Sequence, residues 1–294
     1  MERKRGKRFA GALLLLAALV LAACTSAPAP EAIPPFRQGV VTADQQTSSA
    51  LGEVNRFLRR QQIERAVTQN ALTEDLFVEA LDRTDIAKWH RAFSLIDSYA
   101  EKLERLLAPG QRAGVQDELS ALGGTIEAVS EIQLPTEISA AFVTFGGLLV
   151  QLKTERDALA AIRKADPAVQ NIFSAMMQAI GDSPESGVRG TVTSSWRQIL
   201  ARMDVREFRP ASGDAARRAV VNRYVAALDE RDAQDALLSS LRLSLATLAK
   251  SHQELAQGRR ASATGLIKLV QDEYKEYREQ LDALRARREA AVTN

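Results

Sequence analysis

The chain has 294 residues, 46% of them hydrophobic and 26% charged, with a formal net charge of +2. Length and apolar content suffice for one large domain or two small ones and exclude a wholly disordered chain. Five of the 39 basic residues, Arg3, Lys4, Arg5, Lys7 and Arg8, crowd the first eight positions. Without residues 1–23 the balance falls to about −2, and with 5% aromatic residues neither a basic footprint nor a stacking platform remains, so nucleic acid is excluded as a partner.

The first element is a targeting segment. Residues 1–8 are basic, and Phe9 to Ala22 form an apolar run of about fourteen residues, short of the roughly twenty needed to span a bilayer but typical of a secretory leader. Leu21-Ala22-Ala23-Cys24 follows, holding the only cysteine of the chain. With its basic and apolar regions in order, this stretch resembles the bacterial lipoprotein signal, whose lipobox joins an aliphatic residue, two small residues and a cysteine. The resemblance covers residues 1–24 only, and no family is recognised for the remainder.

It implies cleavage between Ala23 and Cys24, a diacylglycerol thioether on the Cys24 sulfur, and acylation of the new amino terminus. Each buried methylene contributes about 0.8 kcal/mol, so two or three chains anchor a protein permanently where one would not. On this reading Cys24 is a lipidation site and not a catalyst, and the mature domain has no disulfide. An ordinary leader, cut after Ala23 or Ala27, is the alternative; it leaves an unpaired thiol on an exported protein unexplained. In lipoproteins an aspartate after the cysteine favours inner-membrane retention, and here Thr25 stands there. The resemblance therefore implies a cell-envelope location, at the outer membrane facing the periplasm in a Gram-negative cell.

Residues 24–42 read as a proline-rich tether. Pro28, Pro30, Pro34 and Pro35 favour an extended path, which from Cys24 to Thr42 reaches about 55 Å. From residue 43 to 294 apolar positions recur every three or four residues, and no stretch keeps the two-residue alternation of a strand. The expected fold is all-α, a single elongated antiparallel helical bundle. Its first helix covers about 43–70, with Leu51, Val54, Leu58, Ile63 and Val67 inward. The pattern continues through Leu72, Leu76, Phe77, Ala80 and Leu81 after a bend near Thr73.

A second series, Ile86, Trp89, Phe93, Ile96, Leu103, Leu106 and Leu107, stops at Ala108-Pro109-Gly110. Val115, Leu119, Leu122, Ile126, Val129 and Ile132 mark a helix weakened by Gly123 and Gly124. After Pro135 comes a run from Thr136 with Ile138, Phe142, Phe145, Leu149, Leu152, Leu159 and Ile162. Asp166-Pro167 reads as a cap followed by proline at the first helical position, opening a short helix that Gly181 closes. Ser183-Pro184 repeats that start signal ahead of Val188, Val192, Trp196, Ile199 and Met203, and residues 209–214 break the chain again.

The carboxy-terminal part shows two heptad-like seams: Leu238, Leu241, Leu245, Leu248, His252 and Leu255, then Val270, Tyr274, Tyr277, Leu281 and Leu284. Gly258 between them is expected to turn one helix back on the other as a long hairpin; the alternative is one continuous helix.

Catalytic constellations are missing from this pattern. The residues three before His90 and His252 are Ala87 and Ala249, not the glutamates of a di-iron bundle. There is no zincin pair, nucleophile elbow, phosphate loop or Ser-x-x-Lys motif, and one cysteine cannot build a thiolate metal site. No catalytic residue, metal ligand or cofactor is assigned, and no small-molecule substrate is identified. His252 reads as a core or interface histidine and His90 as a partly exposed one.

Residues 140–152, apolar on nearly every side, read as a central buried helix whose Gly146 and Gly147 admit a close neighbour; membrane insertion is the alternative, though thirteen residues are too few to cross a bilayer. Residues 272–290 alternate in charge and read as a solvated helix face, with a partner-binding coil as the alternative. The expected function is that of a membrane-anchored, non-enzymatic binding or scaffolding module with another envelope protein as partner. The rival expectation is a membrane-active or pore-forming protein using residues 140–152.

Overall fold

Ile33, Phe36, Val40 and Ala43 are spaced by three and four residues, and all four are buried. That spacing is why the body of the protein turns helical at Ile33 in the computed structural model, which describes residues 33–77, 81, 83–108, 110, 114–154 and 157–293. The described residues form eight α-helices and no strand, the all-α elongated bundle that the periodicity predicts. They are α1 (Ile33–Gln69), α2 (Arg83–Leu107), α3 (Val115–Gln133), α4 (Thr136–Gln151), α5 (Ala158–Ile180), α6 (Gly187–Arg202), α7 (Asp214–Ala256) and α8 (Arg260–Thr293).

The start of α1 corrects the tether. Pro34 and Pro35 stand in its first turn, where the backbone N–H groups have no intrahelical acceptor to lose and a fixed φ near −65° already suits the helix. Prolines at that position initiate a helix; they exclude one only further in. The boundary between tether and domain therefore falls before Ile33, not after Thr42. The far end of α1 differs too: Ile63 and Val67 are 46% and 71% exposed. Leu51 and Val54 are buried as expected, and Phe57 and Ala66 carry the inward face beyond them. Leu72 is also exposed, in the connection to a short 3₁₀ turn, Glu74–Phe77.

The packing is antiparallel by successive contacts. Arg37 on α1 donates to Asp97 at 3.0 and 3.2 Å and to Glu104 at 3.2 Å on α2, while Asn55 further along α1 bonds the carbonyl of Leu81 before α2 begins. Against α7, Phe36 meets His252 at 5.6 Å between ring centroids, Gln46 donates to Ser240 at 3.3 Å, and Arg60 donates to Glu230 at 2.6 Å. Gly258, with φ of 77°, makes the left-handed turn that ends α7 and lets α8 return along it, so the carboxy-terminal part is the hairpin and not one long rod. Every position of the α7 seam from Leu238 to Leu255 is buried, as are Val270, Tyr277 and Leu281 on α8.

Two helix starts differ from expectation. The run that begins at Thr136 breaks after Gln151, and α5 begins at Ala158 with Asp157 as its cap, whose carboxylate accepts from the N–H groups of Leu159 at 2.8 Å and Ala160 at 3.3 Å. Pro167 lies inside α5 and does not open it. An interior proline costs about 3 kcal/mol, and it is carried because Ala165, Ala168, Val169, Ile172 and Phe173 around it are all buried in the core. Likewise Ser183 and Pro184 lie in the turn before α6, which begins at Gly187. Gly181 does close α5, with φ of 120°. Ala80, Ile132 and Leu284 lie outside the described side chains.

Candidate functional site

Cys24 and Ala23, the expected lipidation and cleavage positions, lie outside the described residues. The two histidines do not.

His252 is the centre of a buried polar chain. Its position on the α7 seam turns it into the core, where it has no solvent exposure. Its Nδ1 lies 2.8 Å from Asp166 Oδ1 on α5, and its Nε2 lies 3.1 Å from the Tyr99 hydroxyl on α2. Gln170, one turn after Asp166, donates to the same carboxylate at 3.0 Å and to the Ala249 carbonyl at 2.7 Å.

Burial raises the Asp166 carboxyl, but the hydrogen bonds from His252 and Gln170 outweigh it and hold the group below its ordinary value. Burial pushes Tyr99 well above its usual range, so the phenol keeps its proton. The Tyr99 hydroxyl and the Asp166 carboxylate thus hold the two ring nitrogens of His252 from opposite sides. Asp166, read from sequence as a helix cap, is thus the partner of a core histidine. Its spacing of four from Gln170 was the available signal; the 86-residue separation from His252 was not readable.

His90 is exposed, and its Nδ1 meets Asp44 Oδ2 at 2.6 Å on α1. Burial raises the Asp44 carboxyl, and His90 offsets this only in part. His90 borders an open cleft of about 610 Å³ that Lys88, Arg91, Ser94 and Gln133 also line. Among the described residues no hydrogen bond joins Ser94 to His90, and no group of three His, Cys, Asp or Glu stands close enough to hold a metal ion.

Residues 140–152 form most of α4, which packs between α3 and α5. Phe142, Phe145, Leu149 and Leu152 are buried, and Gly146 touches α3 directly: a Cβ on Gly123 would lie 2.5 Å from the Gly146 carbonyl oxygen, and one on Gly146 would lie 2.8 Å from that of Gly123. Among the described residues no helix is long and apolar enough to cross a membrane. In residues 272–282 only Tyr277 and Leu281 are buried, and the charged side chains apart from half-buried Glu273 are exposed. Compared with protein-family models, with curated proteins and with solved structures, the chain matches none.

Proposed function

We propose that this protein is a lipid-anchored component of a bacterial cell envelope whose helical body acts as a non-enzymatic binding or scaffolding module. The observation that carries the reading is Leu21-Ala22-Ala23-Cys24, the sole cysteine of the chain, behind a basic segment and an apolar run. Lipids on Cys24 hold the protein to the membrane, and Thr25 favours the outer membrane of a Gram-negative cell, with the body in the periplasm. The start of α1 refines the picture: residues 25–32 reach at most about 28 Å when fully extended, so the body stands close to the bilayer. Burial of α4 between α3 and α5 disfavours the rival, membrane-inserting use of residues 140–152.

Replacing Cys24 by Ser tests the anchor. Metabolic palmitate labelling is expected to vanish, with the precursor accumulating; labelling that persists in Cys24→Ser removes the assignment. Crosslinking in cells with the lipidated form then identifies what the body binds.

A further inference from the structure

The amino-terminal third of α7 runs past the last ion pair to α1, Arg60–Glu230, and among residues 214–229 only Val220 is buried. Against it packs a π-helical segment, Met203–Phe208, that continues α6. Between the two lies a cleft of about 230 Å³ lined by Asp204, Phe208, Val220, Val221 and Tyr224. Around it Val205, Val221 and Val225 stand 55%, 45% and 50% exposed, an unusual concentration of bare aliphatic side chains for a few turns of helix.

The charge of this tip opposes that of the rest. Residues 202–225 hold six arginines against Asp204, Glu207 and Asp214. Two of those carboxylates are engaged, Asp204 with Arg209 at 2.7 Å and Glu207 with Arg223 at 2.6 Å. Arg206, Arg217 and Arg218 are exposed and have no carboxylate partner among the described residues; Arg217 reaches only the Ala211 carbonyl, at 3.2 Å.

We propose that this tip is the docking surface for an acidic segment of another protein, which seats one apolar side chain in the cleft while its carboxylates pair with the free arginines. A concave apolar cleft takes a single side-chain anchor, and tyrosine and arginine are the side chains from which binding hot spots are built. The guanidinium fork matches a carboxylate in two hydrogen bonds. Phe208 both lines the cleft and stands 38% exposed at its mouth, so an incoming apolar side chain meets an aromatic wall beside the arginines. The proposal rests on the binding-module reading and gives it a surface and a partner chemistry.

The full chain, purified in detergent, is immobilised and used to select from a displayed library of random peptides. The expected result is enrichment of peptides with Asp or Glu around one Leu or Phe. Their retention falls at least about tenfold on the double variant Arg217→Glu/Arg218→Glu and on Val221→Asp, both at exposed positions, with the helical circular dichroism unchanged. No enrichment, enrichment without an acidic bias, or retention that survives both variants overturns the proposal. So does cosedimentation with phosphatidylglycerol vesicles that both variants abolish while no acidic peptide is selected, an outcome that assigns the tip to lipid. A chain that selects acidic peptides but takes no palmitate keeps the docking surface and loses the anchor, so the two failures are separable.

Discussion

Two buried tyrosines separate what a hydroxyl does when it has a partner from what it does when it has none. Tyr99 and Tyr277 are both fully buried, but the Tyr99 hydroxyl meets His252 whereas that of Tyr277 has no hydrogen-bond partner among the described residues. Tyr99→Phe is expected to cost about 1–2 kcal/mol in denaturant unfolding because it strands His252 Nε2, whereas Tyr277→Phe is expected to be neutral or to gain up to about 1 kcal/mol. Asp166 adds a pH dependence of known sign. Its folded value is depressed, so its contribution to stability is fully present above the ordinary carboxyl value of 3.8 and is lost as the pH falls through the lower folded value. Unfolding followed against pH is expected to show the difference between the native chain and Asp166→Asn shrinking below about pH 4. The sequence placed His252 in the core through its seam, but the meeting of Tyr99, Asp166 and His252 joins three helices far apart in the chain, and periodicity carries no information about such contacts.

At the level of helices, the glycines show where the backbone itself packs. Gly123 and Gly146 bring α3 and α4 together closely enough that an added methyl meets a carbonyl oxygen, whereas nothing lies within 4 Å of a Cβ on Gly124. Gly123→Ala is expected to destabilise by about 2–3 kcal/mol through forced separation of the two helices, and Gly124→Ala to stabilise by about 0.5–1 kcal/mol through helix propensity, both read from thermal or urea unfolding. From sequence, the pair Gly123-Gly124 looks simply like a weak point, since only the register against α4 distinguishes them. Helices with a strong one-sided pattern, such as α2 and the α7 seam, are legible in full. The local glycine signals at Gly181 and Gly258 hold, but the proline signals mislead. Pro34-Pro35 and Asp166-Pro167 are the same kind of sign, and burial of the residues around each decides whether proline begins a helix, as in α1, or is carried within one, as in α5.

For the molecule as a whole, antiparallel packing of α1 on α7 puts the amino end of α1 beside the Gly258 turn, and the arginine-rich tip at the opposite end of α7. α7 alone is 43 residues long, about 64 Å. The proposed anchor on Cys24 would turn the Gly258 end toward the bilayer and the tip away from it. A fluorophore on Gln257→Cys is expected to be quenched strongly by a headgroup-attached quencher in vesicles holding the lipidated protein, and one on Ser212→Cys to be quenched little; both positions are exposed. All-α character was legible because it rests on repeated spacing and the hairpin because Gly258 stands between two seams, whereas the bare tip was not, because exposure of Val205, Val221 and Val225 depends on what fails to pack against them.

The proposed anchoring depends on the chemistry of one sulfur, and mass spectrometry of the amino-terminal peptide from protein isolated from its host membrane reads it directly. The predicted result is a chain that begins at Cys24, with diacylglycerol on the sulfur and a fatty acyl group on the amino nitrogen. A chain that retains residues 1–23, or that begins at Cys24 or beyond with no lipid attached, contradicts it.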